Sequence, residues 1–378
     1  MPGPLDGVMI TELAGLGPAP FAGMVLADLG ATVVRIERAG GGGLFAHSPR
    51  DVLGRGRLSI ALDLKSDQGR EVVLRSVAVS EALIEGFRPG VTERLGIGPA
   101  QCLARNPALV YGRMTGWGQE GPLAEMAGHD IDYIAISGAL HSIGPVGEPI
   151  PPLNLVGDFG GGGMLLVVGV LAALVHARAT GVGQIVDAAM TDGSALLMAS
   201  HHGYMADGWW KPERAANLLD GAAPFYSAYR TSDDRHVAVG ALEPQFFAAL
   251  LEGLGIDPAD IGPQNDRDGW ANMREVLAER FATRTRDEWA SHFEGTDACV
   301  APVLSMAEAP DHPHNVARET FVDVAGVTQP APAPRFSVTG TEAGPGPNIV
   351  GSDTDDVLSR LGFDSGEIEE MRVSGAVA

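Results

Sequence analysis

Short β-branched runs alternate with Gly- and Pro-punctuated helical stretches through the first third of this chain, and that alternation restricts its fold more than any other feature. Residues 8–13 read as a strand. Residues 20–29 read as a helix with Pro20 at its start and Gly30 at its stop, and residues 31–37 as a second, β-branched strand. Strand, helix and strand in that order make a βαβ unit, the seed of a parallel sheet. The rhythm continues with a strand over 58–64, a helix capped by Lys65-Ser66-Asp67 and running to Val79, and strands over 82–85 and 109–114. Residues 40–43 and 54–57 are Gly-rich loop signals. A chain of 378 residues, 45% hydrophobic, can bury a large core and divide into two domains.

Charge divides the chain unevenly. The net charge of −22 argues against nucleic acid as a partner. Residues 1–113 nonetheless carry 12 Lys/Arg against 11 Asp/Glu, and no Lys or Arg stands between Arg113 and Arg178. An anionic ligand therefore belongs to the first third. There Arg38, Lys65, Arg88 and Arg94 fall at or just after strand ends, where open α/β sheets bind ligands. Gly15-x-Gly17 after a strand, with Glu37 some way on, partly imitates a dinucleotide fingerprint, but Pro20 stands where the third glycine belongs. A Gly-rich turn serving the sheet is the better reading.

Two cysteines, Cys102 and Cys299, offer neither metal spacing nor a disulfide framework and fit a reducing compartment. The N-terminus lacks the basic and apolar regions of a signal peptide. The longest apolar run, residues 164–175, falls short of the ~20 residues that span a bilayer and reads as a buried helix. A cytoplasmic protein with no membrane partner is expected.

Chemistry concentrates between residues 127 and 158. His129 stands in Gly128-His129-Asp130, and histidine titrates near neutrality. Asp158 precedes the glycines of residues 160–163 and a long apolar helix, where exposed N–H groups favour negative charge. Glu243 follows the strand over 236–240 and precedes Pro244 at a helix start. Each has a plainer reading alone: a surface histidine, an N-cap aspartate, a capping glutamate. Three such groups at loop or strand-to-helix transitions suggest acid–base chemistry. Ligand spacing for a metal is absent, and so is the Gly-x-Ser-x-Gly of a serine hydrolase.

The second half reads as a smaller α+β unit. Strands are expected over 226–231, 236–240 and 299–304, with helices over 245–254, 270–281 and 286–293. The resulting division is residues 1–190 as a large domain, 191–224 as a linker, 225–313 as the small domain, 314–330 as a second linker, and 331–378 returning to the large domain. The acidic tail over 354–371 reads as helical.

A set of motifs in order resembles the family III CoA-transferase superfamily nearly end to end. Among them are Glu12-Leu13-Ala14-Gly15-Leu16-Gly17-Pro18, Leu62-Asp63-Leu64-Lys65, Arg88-Pro89-Gly90-Val91, Arg113-Met114-Thr115-Gly116-Trp117-Gly118-Gln119, Pro152-Leu153-Asn154-Leu155 and Thr296-Asp297-Ala298-Cys299. Gly128-His129-Asp130-Ile131 joined to Glu243-Pro244-Gln245-Phe246 points to the superfamily's racemase branch. The resemblance implies that His129 and Asp158 are the two acid/base groups and that Glu243 pairs with the histidine. It implies that Arg38, Leu62, Asp63, Leu64, Lys65, Gly86, Phe87, Arg88, Arg94, Gly128, Asp130, Ile131, Asp132 and Tyr133 contact coenzyme A. Asp132 replaces the Asn usual in this run, and Ala215 and Ala222 stand where Gly is common.

The implied fold is α/β: a Rossmann-like large domain built from both chain ends, an inserted smaller α+β domain, and an interlocked homodimer whose active site is shared between subunits. The implied activity interconverts (2R)- and (2S)-2-methylacyl-CoA through an enolate held by backbone N–H groups at Asp158 and the glycines after it. It needs no metal and no redox cofactor, with CoA entering as part of the substrate. A CoA-transferase working through an Asp158 acyl-enzyme, and a non-catalytic CoA-binding protein, remain as alternatives.

Overall fold

The computed structural model describes residues 2–38 and 48–378. Of the loop signals, residues 40–43 lie outside them. The chain forms two compact units. One comprises Met1–Ser137, Pro152–Met198 and Pro313–Ala378; the other comprises Gly138–Pro151 and Ala199–His312.

The first unit is organised by a six-stranded parallel sheet: β1 (Met9–Leu13), β2 (Thr32–Glu37), β3 (Arg57–Ala61), β4 (Ala82–Glu85), β5 (Val110–Thr115) and β6 (Gln184–Ala189). Its order is β3-β2-β1-β4-β5-β6. Strand order reverses between β1 and β4, the switch point outside whose carboxyl ends open α/β sheets bind ligands. Crossovers include α1 (Pro18–Asp28), α2 (Asp67–Val79), α3 (Val91–Arg94) and α4 (Pro99–Arg105). The last two end the stretch in which β4 hands over to β5. Helix α4 has no apolar stripe of its own to announce it; it starts at Pro99, where the missing N–H costs nothing.

Both faces of the sheet are covered, as parallel strands require. One core gathers Ile10, Val33, Ile84 and Val110 with Leu26, Leu166 and Val170. The other gathers Leu13, Val34, Ile60 and Leu83 with Val73 and, from the far end of the chain, Leu358, Ile368 and Met371. The tail is therefore part of this unit. It is also tied by polar bonds: Asp353 Oδ2 accepts the Ser59 N–H at 2.8 Å, and Leu62 bridges antiparallel to Val377. It forms two helices, Thr354–Arg360 and Ser365–Ser374, rather than one, because Gly362 at φ 85° turns the chain between them.

Several expectations are corrected here. Residues 314–330, read as a linker, contain helix Pro313–Ala317 and an antiparallel hairpin of Phe321–Val324 with Val327–Pro330. Gln329 is buried and accepts from the Arg55 guanidinium at 2.7 Å, which anchors the hairpin to the first unit. Residues 191–224 are no linker either. Helices Met190–Leu197 and Ala199–Ala206 fill the first part. The remainder folds on the buried Asn217, whose amide reaches the carbonyls of Lys211 and Glu213 and the Asp220 carboxylate. The stretch is polar and rich in Gly and Ala, yet an internal hydrogen-bond network holds it.

The apolar run also extends further than its composition suggests. A π-helix, Leu155–Met164, continues into α6 (Leu165–Thr180), so the helical stretch is 26 residues, long and apolar enough to cross a bilayer by length and composition alone. Leu166, Val170 and Leu174 face the core, whereas Met164, Val168 and Val175 are exposed. The glycines that interrupt the apolar pattern in sequence are what let the π-helix lie against α1 and α7 (Met190–Leu197). A Cβ on Gly161 would stand 2.6 Å from the Ser194 nitrogen, and one on Gly163 would stand 2.8 Å from the Pro18 carbonyl.

The second unit holds an antiparallel three-stranded sheet of β7 (Tyr226–Arg230), β8 (His236–Gly240) and β9 (Val300–Pro302). Helices Pro244–Leu254, Trp270–Phe281 and Arg286–Phe293 pack around Phe225, Tyr229, Phe281 and Trp289.

Candidate active site

Five loops leave the carboxyl ends of the parallel strands, and most of the expected site residues lie on them. Arg38 follows β2, Lys65 follows β3, and Gly86-Phe87-Arg88 follows β4; all three cations are exposed. Arg94, also exposed, ends α3. Asp63 and Lys65 belong to the turn that opens α2, where Asp63 Oδ1 accepts the Lys65 N–H at 3.0 Å. Leu62 is a correction: its side chain is fully buried in the core, so it positions the turn from beneath and presents nothing to a ligand. Leu64 is half-buried against the same core.

The turn after β1 has a different occupant from a cofactor phosphate. Gly17 has φ 65°, and a Cβ there would stand 3.3 Å from Asp158 Oδ2. A carboxylate of the chain itself faces this turn, where its charge would repel a pyrophosphate, which argues against the dinucleotide reading.

His129 sits at the start of α5 (Asp130–Ile136), exposed, with its N–H donated to Asp132 Oδ2 at 2.9 Å. The Asp that replaces Asn at 132 thus caps the helix that carries the histidine. Beneath it, Trp117 and Tyr133 meet edge to face at 4.7 Å between centroids, and the Tyr133 hydroxyl donates to the Gly128 carbonyl. A Cβ on Gly128 would lie 2.8 Å from both rings. The glycine beside the histidine therefore serves close packing. The aromatic support was missed in sequence, although Trp117 stands in a quoted motif between two glycines.

Asp158 is not an N-cap. It lies in the first turn of the π-helix, where its carboxylate accepts from the Asn154 amide at 3.0 Å. π-Helices recur at functional sites because the widened turn re-aims a side chain. Its own N–H is donated to Asp130 Oδ1 at 2.6 Å, so the expected enolate donor at Asp158 is already committed. This also corrects Asp130, which is buried with its carboxylate bonded to the Asp158 backbone, so its side chain is not offered to a ligand from solvent.

Electrostatics bring these groups into one neighbourhood. Burial pushes the Asp158 carboxyl above the usual carboxylate range; the Asn154 bond opposes this, Asp130 adds to it, and the charge of His129 pulls it back down. His129 and Asp158 thus feel each other. The Tyr133 hydroxyl is pushed up to about 12, first by burial and then by Asp158, Asp132 and Asp130, with Arg88 acting in the opposite sense. Arg88 accordingly belongs to the same cluster. Ile131 is exposed on the first turn of α5.

Glu243 lies in the second unit, three residues beyond β8, at the N-cap of helix Pro244–Leu254. It is exposed and makes no capping bond, so the capping role that competes with a catalytic one goes unused. Burial raises the thiol pKa of Cys299, at φ 52°, and the nearby charge of Glu243 adds to it.

A parallel sheet ordered in this way, with a histidine and a raised aspartate beside exposed cations at its carboxyl edge, defines an α/β protein equipped for acid–base chemistry next to an anionic ligand. The chain belongs to CoA-transferase family III, whose model matches residues 5–354. It is 46% identical over 371 residues to alpha-methylacyl-CoA racemase of Mus musculus, covering 97% of this chain and 96% of that protein. Identity to alpha-methylacyl-CoA racemase of Homo sapiens is 43% over 373 residues, with the same coverage. Among solved structures, a CAIB/BAIF family protein from Brucella suis superposes with a TM-score of 0.83 at 26% identity, covering 96% of this chain and all of that one.

Proposed function

We propose that this protein is an isomerase that interconverts the 2R and 2S epimers of 2-methyl-branched acyl-CoA thioesters. The observation that carries the reading is the pairing of His129 with a desolvated Asp158 in a chain 46% identical to a racemase of that name. A thioester makes its α-proton acidic enough to remove, and epimerisation needs one base on each face. Neutral His129 takes the proton from one face, leaving an imidazolium and an enolate; the protonated Asp158 returns a proton to the other. The reverse direction exchanges the roles. Burial that favours the neutral carboxylic acid suits Asp158 to donate.

Only a proton moves, so this chemistry calls for no metal or redox group. Arg38, Lys65, Arg88 and Arg94 would hold the phosphates of CoA. Glu243, exposed and without a capping bond, would orient the imidazole and stabilise its charged form from a second copy of the chain. In support of a homodimer, apolar side chains stand exposed along the Leu155–Thr180 helix and on α7, among them Val168, Val175, Leu196 and Leu197. A second copy would cover them, in a cytoplasmic protein.

One pure epimer of a 2-methylacyl-CoA, incubated with the protein in D₂O and followed by proton NMR, tests this. Loss of the α-proton signal with appearance of the other epimer is expected. Exchange with retained configuration would leave one working base and defeat the two-base mechanism. No exchange, with hydroxylamine trapping an acyl-enzyme at Asp158, would turn the assignment to CoA transfer between carboxylic acids.

A further inference from the structure

The motif around Arg113 has no place in the proton transfer, yet its guanidinium is the hub of a hydrogen-bonded cluster of two carboxyl groups, buried at Glu85 and exposed at Glu93. Arg113 Nε donates to Glu85 Oε1 at 3.0 Å, and its two terminal nitrogens donate to Glu93 Oε1 and Oε2 at 2.7 and 3.3 Å. Glu85 is fully buried at the end of β4 and accepts the Phe87 N–H on its other oxygen at 2.7 Å. Glu93 accepts in addition from the buried Thr92 hydroxyl at 3.1 Å. No polar atom of the three side chains is left without a partner. Such a half-buried cluster gains little stability over apolar packing, and what it does fix is geometry.

That geometry falls on one segment. Phe87 is bonded to Glu85 and Glu93 to Arg113, so residues 87 and 93 are held to the end of β4 and to the middle of β5. Between them the Arg88 carbonyl accepts from Val91, Gly90 turns at φ 78°, and a Cβ there would meet the Arg94 guanidinium at 3.0 Å. Arg88 and Arg94, both exposed, therefore leave a segment fixed at each end.

We infer that Glu85, Arg113 and Glu93 form a clamp that sets the spacing of Arg88 and Arg94 for the phosphates of CoA, and that they act on substrate affinity and not on proton transfer. The inference rests on the reading of Arg88 and Arg94 as CoA-binding. Glu93 has two opposed effects: it holds the segment, and its negative charge would repel phosphate. Bidentate neutralisation by Arg113 removes most of the second.

The test is calorimetric titration of free CoA into the full protein and its variants, with turnover of a 2-methylacyl-CoA and of the matching N-acetylcysteamine thioester, which has no phosphates. Glu93→Gln is expected to raise the Kd for CoA roughly tenfold, the scale of one charge-assisted bond. It should raise KM for the CoA thioester while leaving kcat, and turnover of the short thioester, within about twofold. Arg113→Lys, which keeps the charge and loses the fork, should move Kd the same way by less. Equal losses on both thioesters would mark general structural damage and overturn the clamp. So would unchanged or tighter CoA binding in Glu93→Gln while Arg88→Ala and Arg94→Ala weaken it. If those two arginine variants also leave Kd unchanged, the CoA assignment of the segment fails first and the clamp with it.

Discussion

Asp130 stands one residue from the candidate base and bonds the backbone of the candidate acid. Its carboxylate adds to the burial that raises Asp158, and its Oδ2 is buried without a hydrogen-bond partner. The like charge of Asp130 beside it adds to what disfavours ionisation of Asp158. Asp130→Asn keeps an acceptor for the Asp158 N–H and removes that influence. The pKa of Asp158 should fall. In the direction that uses Asp158 as acid, the descending limb of the pH–rate profile should then move to lower pH, and an unmoved limb would remove Asp130 from the account. Glu85 makes a second residue-level prediction. Burial pushes its carboxyl up to about 7, against the Phe87 N–H and Arg113, which pull it down. The folded protein therefore holds a proton that the unfolded chain releases near 4.5. Stability from this group is greatest below pH 4.5 and is lost as pH rises toward 7, by ~3 kcal/mol. Glu85→Gln should lose that slope in urea melts between pH 5 and 7.5; parallel curves for both proteins would refute the assignment.

At the scale of elements, the π-helix decides where Asp158 points, and small residues decide whether the π-helix fits. Gly161 touches the backbone of α7 at a distance no side chain tolerates, so relief must come from moving a helix. Gly161→Ala is expected to destabilise the protein by about 1–3 kcal/mol and to depress turnover, since the same movement displaces Asp158. Chemical denaturation measures the first, and a change below ~0.5 kcal/mol would show that the contact yields. Strands were the most legible elements. Residues 82–85 and 236–240 were bounded correctly because β-branched and apolar runs ended in Gly or charged residues. The π-helix was not legible. Nothing in Leu155-Val156-Gly157-Asp158 distinguishes an i→i+5 ladder from a loop running into a helix; the choice follows from the approach of α1 and α7.

For the whole molecule, the exposed apolar side chains of α6 and α7 and the exposed carboxylate of Glu243 bear on one prediction. If a site draws His129 from one copy and Glu243 from another, co-expressed His129→Gln and Glu243→Gln chains should recover activity that neither variant has alone. Random pairing yields half heterodimers, each with one intact site, so about a quarter of wild-type activity is expected. No recovery, with mixed dimers present by mass spectrometry, would place both residues in one chain's site.

The sequence by itself determined the parallel sheet, the smaller second unit and the candidate trio. Periodicity, turn chemistry and a histidine beside glycine are local properties, readable a few residues at a time. Only the tertiary structure decided that Leu62 is core, that Asp130 faces Asp158, that Trp117 supports the histidine loop, and that Arg113 ties Glu85 to Glu93. Each of these joins side chains brought together by the sheet from separate stretches of chain. The energy of a buried charge or a close backbone approach is set by what lies across the contact, and local sequence carries no record of that neighbour.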